Sequence, residues 1–195
     1  MKYYSAEWNG HTIGVENTMS TERVLFDDKV IAENKSGIRL AAVFDTELPD
    51  TDGLHCFVCV QGMEGSFNTP ICYGIIGRPL KAEYDKSSKV YSAEYNGHKI
   101  ETSLKGRTSL SVDGQVVNEG PKGLHFAILL GSKQDENGKR YLSLIEGSSG
   151  SGLKLHCYMF ADAEPLKLQH YKKKGEEFIL DEKFDKYLQY SFEEE

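Results

Sequence analysis

Two histidines, His11 and His98, stand directly behind Asn-Gly pairs in matching stretches, Trp8-Asn9-Gly10-His11 and Tyr95-Asn96-Gly97-His98. An imidazole facing an aromatic ring across a turn can pack on that ring and still accept or donate one hydrogen bond. Trp8, His11, Tyr95 and His98 are therefore the first candidates for a ligand-binding surface. Exposed aromatics such as Trp8 or Tyr95 would also suit a carbohydrate.

The cysteines offer a different chemistry. Cys56-Phe57-Val58-Cys59 has the spacing of redox and metal motifs. Strand positions three apart point to opposite faces, so the two thiols cannot share one zinc or close a disulfide, and no second cysteine pair completes a ligand set. His55 precedes Cys56, and His156 precedes Cys157. A nucleophilic thiolate needs an adjacent base or a positive environment, yet neighbours in a strand also face apart, so neither pair is its own dyad. A cross-strand pairing such as Cys72 with His55 stays open and keeps a Cys/His-dependent hydrolase as the alternative to a binding role. The thiols otherwise read as small buried hydrophobes.

Asp45, Glu47, Asp50 and Asp52 gather four carboxylates between Phe44 and Gly53. The distant bidentate glutamate of a calcium loop is missing, because Cys59 holds its place. The stretch reads as a solvated loop, and no metal ligand is assigned. Gly62–Ser66 and Gly147–Gly152 lack the Lys-Ser/Thr ending of a phosphate-binding loop and read as flexible connections. No motif calls for a cofactor.

The elements that position these residues follow from an internal repeat. Tyr4-Ser5-Ala6-Glu7-Trp8-Asn9-Gly10-His11 returns as Tyr91-Ser92-Ala93-Glu94-Tyr95-Asn96-Gly97-His98, and further anchors such as Cys72-Tyr73 with Cys157-Tyr158 continue the match. The expectation is all-β, with two tandem duplicated antiparallel β-sandwich units, 1–81 and 90–167, of about seven short strands each. Two-residue Asn-Gly turns pair Trp8 with His11, Ala6 with Ile13 and Tyr4 with Val15 on an apolar face. The second copy pairs Tyr95 with His98, Ala93 with Ile100 and Tyr91 with Thr102. A second hairpin, turning at Asp27-Asp28 and at Asp113-Gly114, places Val24, Phe26 and Ile31, and then Leu110, Val112 and Val117, toward the core. Residues 168–195 read as a C-terminal tail. In it Phe184, Tyr187, Leu188, Ser191 and Phe192 have helical spacing, predicting a short amphipathic helix over about 181–192 with Asp181 as its cap.

The run Tyr95-Asn96-Gly97-His98-Lys99-Ile100, followed by Ser109-Leu110-Ser111-Val112-Asp113-Gly114, resembles the strand pattern of the Fas apoptotic inhibitory molecule family. The first unit shows the same run with Asp27-Asp28 in place of Asp-Gly. The likeness covers about twenty residues per unit. It implies two tandem β-sandwich units in a cytosolic, non-enzymatic protein that acts by contacting other proteins. It carries over no functional residue.

Twenty-three basic against thirty acidic side chains give a net charge of −7, which provides no electrostatic footing for nucleic acid. No apolar run approaches membrane-spanning length, and Met1–Glu7 lacks the apolar core of a secretory signal. The sequence therefore predicts a cytosolic binding or protein-interaction module whose partner, a protein or a small ligand, it does not name.

Overall fold

A computed structural model describes residues 2–18, 21–35, 41–66, 69–122, 127–150, 152–174 and 177–181. Their regular elements are strands alone. In chain order these are β1 (Lys2–Trp8), β2 (His11–Asn17), β3 (Thr21–Phe26), β4 (Lys29–Lys35), β5 (Ala41–Glu47), β6 (His55–Ser66) and β7 (Thr69–Leu80). There follow β8 (Glu83–Asp85), β9 (Val90–Tyr95), β10 (His98–Ser103), β11 (Ser109–Val112), β12 (Gln115–Glu119) and β13 (Ala127–Gly131). The last are β14 (Arg140–Gly150), β15 (Gly152–Leu166), β16 (Gln169–Lys174) and β17 (Glu177–Leu180). Among the described residues no helix is long and apolar enough to cross a membrane. The described residues are all-β, as the short alternating runs and turn signals predict.

The described residues form two compact units. One holds those up to Ile76 together with those from Pro165 onward, and the other is Gly77–Glu164. These boundaries differ from the two continuous segments expected from the sequence. Residues 168–180, read there as tail, supply β16 and β17. β16 pairs antiparallel with β1, Gln169 opposite Ser5 and Lys172 opposite Lys2, and so joins the first unit's sheet. The stretch between the two predicted copies likewise contains a strand, β8, which pairs with β9. Apart from Asp181, the predicted helix lies outside the described residues.

In the first unit a sheet ordered β17-β16-β1-β2-β3-β4 faces the strands β7-β6-β5. Register follows the turn, with Trp8 opposite His11, Ala6 opposite Ile13 and Tyr4 opposite Val15. That face, continued by Val24 and Phe26, packs on Ala42, Phe44, Cys56, Val58, Cys72 and Ile76 in one core cluster. Each Val, Ile or Phe side chain among them, fully withdrawn from water, contributes about 1.5–3 kcal/mol. Tyr4, Ile13 and Val15 have no exposed surface.

The second unit holds the sheet β12-β11-β10-β9-β8 and the strands β13-β14-β15. Its hairpin pairs Tyr95 with His98, Ala93 with Ile100 and Tyr91 with Thr102. Ala93, Ile100 and Leu110 pack against Ile128, Leu130, Ile145 and Met159. Val117, expected on this core face, is instead 39% exposed. Register shifts between Leu110 and Ser111, whose partners are Asn118 and Val116, leaving Val117 as the extra, unpaired residue of a bulge. The glycine-rich runs expected to be flexible connections belong to strands. Gly62–Ser66 continues β6, and Gly147–Gly150 pairs with Gly152–Leu155 as β14 meets β15.

One buried group opposes this packing. Glu146, on β14 between Ala127 and His156 of the flanking strands, is 2% exposed, and its Oε2 has no hydrogen-bond partner. Burial raises its carboxyl from 4.5 to about 7. The folded state therefore holds a proton that the unfolded chain releases above about pH 4.5. Stability falls as pH rises from there toward 7, by at most about 3 kcal/mol at about 1.4 kcal/mol per unit. Glu146→Gln should raise the thermal midpoint over wild type at pH 8 and do so progressively less toward pH 4.5. Melting curves across that range check it, and a pH-independent difference would contradict it.

Candidate functional site

The hairpin tips position the histidines. A two-residue turn of this kind needs positive φ at both central residues. Asn9 and Gly10 have 48° and 80°, Asn96 and Gly97 have 48° and 81°, Asp27 and Asp28 have 46° and 63°, and Asp113 and Gly114 have 51° and 78°. In the first unit Asp27 lies beside His11, whose Nδ1 is 2.7 Å from Oδ2, while Oδ1 accepts the Thr12 N–H at 3.0 Å. In the second unit Asp113 repeats this, with His98 Nδ1 at 2.7 Å from Oδ2 and the Lys99 N–H at 2.9 Å from Oδ1. A carboxylate only accepts, so Nδ1 carries the proton, and a neutral ring is left with Nε2 as an acceptor. The bond from the imidazole, then that from the backbone N–H, holds each aspartate below the ordinary carboxylate range. His55 has the same kind of partner, Asp45 Oδ1 at 2.6 Å.

The four predicted site residues part company here. Trp8 is a core residue, 8% exposed, with no face to offer a sugar. Its ring centre is 6.5 Å from that of His11, which instead stacks on Phe26 at 4.6 Å and 29°. His11 and its aspartate thus form a surface clasp over an apolar ring. In the second unit Tyr95 turns its hydroxyl to Asp162, which also accepts a 3.2 Å bond from Arg78 Nε. His98 borders a cleft of about 280 Å³, whose wall includes Lys133, Lys139, Arg140, Tyr141 and Asp162. The tyrosine across from His98 in this cleft is Tyr141, with ring centres 6.5 Å apart and planes tilted by 59°. None of the five wall residues was singled out by sequence reasoning. The signal for the clasps was there: an aspartate follows His11 by sixteen residues and His98 by fifteen, each opening a turn.

The cysteines are placed for packing. All four are free and buried. Burial pushes the Cys56 thiol up to about 12 and that of Cys157 to about 11, and it raises Cys72 as well. Cys157 lies 3.1 Å from Ser143 Oγ, which is 2.7 Å from Thr102 Oγ1, a buried neutral chain. His55, the base proposed for Cys72, has its Nδ1 on Asp45. Among the described residues no group of three or more His, Cys, Asp or Glu is arranged to hold a metal. In the acidic loop Leu48 is buried, and Thr51 Oγ1 donates to its carbonyl at 2.9 Å.

Asp27 and Asp113 are depressed in the folded state, so the stability they contribute is present above their unfolded values near pH 4 and is lost as pH falls through the folded ones. The double variant Asp27→Asn, Asp113→Asn should melt below wild type at pH 7 and converge with it in strong acid. Thermal scans between pH 2 and pH 7 test this, and a constant gap would refute it.

Comparison of the chain with family models, curated proteins and solved structures returned no match.

Proposed function

We propose that this chain is a non-enzymatic binding module, built from two copies of one β module, whose ligand meets the surface around Tyr95 and His98. The observation that carries this reading is the cleft beside His98, where Asp113 fixes the imidazole so that Nε2 is the free acceptor. A pre-oriented polar atom beside an aromatic ring in a concave wall is the kind of placed group that fixes a ligand's orientation. The matched registers of β1–β2 and β9–β10 support the duplication. Four free thiols suit a reducing, cytosolic setting, in keeping with the resemblance to the Fas apoptotic inhibitory molecule family.

A hydrolase reading has less behind it. Thiols raised to about 11 and 12 are protonated at neutral pH, the reverse of what a nucleophile needs. A maleimide should therefore label no cysteine of the folded chain within minutes at pH 7 and all four after denaturation. Fast native labelling of one thiol, with loss of turnover on its replacement, would reverse the assignment.

The binding role is tested by heteronuclear NMR titration of the full chain with a metabolite panel, alongside pull-down from cell extract. Shifts grouped around His98, or a captured protein released by His98→Ala, are expected. Binding that is indifferent to His98→Ala would move the site elsewhere.

A further inference from the structure

We infer that the cleft beside His98 takes an uncharged polyhydroxylated ligand, a molecule the size of one monosaccharide. The inference rests on the binding reading above and adds the chemistry of the ligand.

Charge in and around this cleft is matched. Lys133, Lys139 and Arg140 line it, and Arg78 is bonded to its Asp162. Against them stand Asp135 and Asp162 in the wall, with Glu164 and Asp113 bonded to wall residues. Two pairs are closed outright, Arg78 with Asp162 at 3.2 Å and Lys139 with Glu164 at 3.3 Å. A balanced field selects neither an anion nor a cation. An ionic ligand would leave water, with the desolvation that entails, for a site holding no net opposite charge. An uncharged ligand avoids that penalty.

What the wall offers instead is hydrogen bonding of both kinds in a small space. Nε2 of His98 is an acceptor, because Nδ1 is committed to Asp113. Asp135 uses Oδ1 on the N–H groups of Asn137 at 2.9 Å and Lys139 at 2.8 Å, and among the described residues Oδ2 has no partner. Lys133 and the Tyr141 hydroxyl are donors. Burial, then the charges of Asp162, Asp113 and Asp135, keep that hydroxyl protonated. A sugar hydroxyl donates and accepts at once, whereas a carboxylate only accepts and an ammonium only donates. Bonds to charged groups are also the stronger ones, so ions that cancel as a field still serve as partners. The Tyr141 ring, tilted by 59° to that of His98, adds an apolar surface for the C–H face of a sugar. Ser132 Oγ accepts the Tyr141 N–H at 2.9 Å and donates to the Lys133 carbonyl at 3.0 Å, which holds this wall in place before binding. The volume of about 280 Å³ lies just below the usual range for drug-sized ligands, roughly 300–1,000 Å³, and suits one sugar ring.

Calorimetric and NMR titrations of the full chain test this, with glucose, galactose and mannose as neutral probes and glucose 6-phosphate and glucosamine as charged ones. At least one neutral sugar should bind at millimolar concentration, shift the Lys133 and Tyr141 amides, and bind no more weakly than either charged relative. Its affinity should change by about twofold or less between low and high salt, since no net charge is screened. His98→Ala should weaken it by about two- to tenfold, the range of one ordinary hydrogen bond. Lys133→Gln removes a charge but keeps an N–H donor, and should alter affinity by about twofold or less. Both positions are exposed, so the thermal midpoint should hold in each variant. A charged relative binding about tenfold more tightly than every neutral sugar, or a tenfold loss on adding salt, overturns the uncharged assignment while leaving a binding cleft. Silence with every probe also overturns it, and the His98→Ala pull-down then decides the binding reading separately.

Discussion

The apolar face that β1, β2 and β3 turn inward must be covered, and this constraint sets most of the rest. Tyr4, Ile13, Val15 and Val24 are at most 1% exposed because β5, β6 and β7 lie against them. A slip of one residue in β1–β2 would send that whole set to water, so register is strongly held. Register in turn decides what stands at each tip. Trp8 is the last core residue of its strand, and His11, its partner, is the first residue on the way out. The second unit obeys the same rule with Ala93, Ile100 and Leu110.

Tips fixed by a core can carry groups whose orientation matters. A lone surface imidazole turns freely and exchanges its proton between two nitrogens. Here each tip histidine is bonded through Nδ1 to an aspartate that the neighbouring tip presents, and the same aspartate accepts a backbone N–H. Two contacts on one carboxylate fix its plane, and the tautomer follows. The units then diverge. In the first, His11 stacks on Phe26 and closes over the core edge. In the second, Tyr95 is drawn to Asp162 and Arg78, and His98 borders an open cleft.

What the sequence made legible tracks how much each element buries. The first hairpin of each unit has a clean period of two and an Asn-Gly turn, and its pairing is the expected one residue for residue. β8 and β17 are exposed throughout, and β16 buries little beyond His170, so no alternation announces them. They are strands because a sheet edge offers them backbone partners, which pattern does not record. Val117 misleads for a related reason, since a bulge breaks the period that would assign its face. At the site, the histidines and their turns were visible. Lys133, Arg140, Tyr141 and Asp162 come together only through strand pairing and loop geometry, across sequence distances that spacing cannot bridge.

The central claim is that His98 presents a fixed acceptor nitrogen to the cleft. Long-range nitrogen–proton correlation NMR of the imidazole side chains above pH 7.5 reads the tautomer directly. His98 should be protonated at Nδ1 with Nε2 bare, and Asp113→Asn should let the two tautomers mix. A wild-type ring protonated at Nε2, or one already averaging between forms, would contradict the claim.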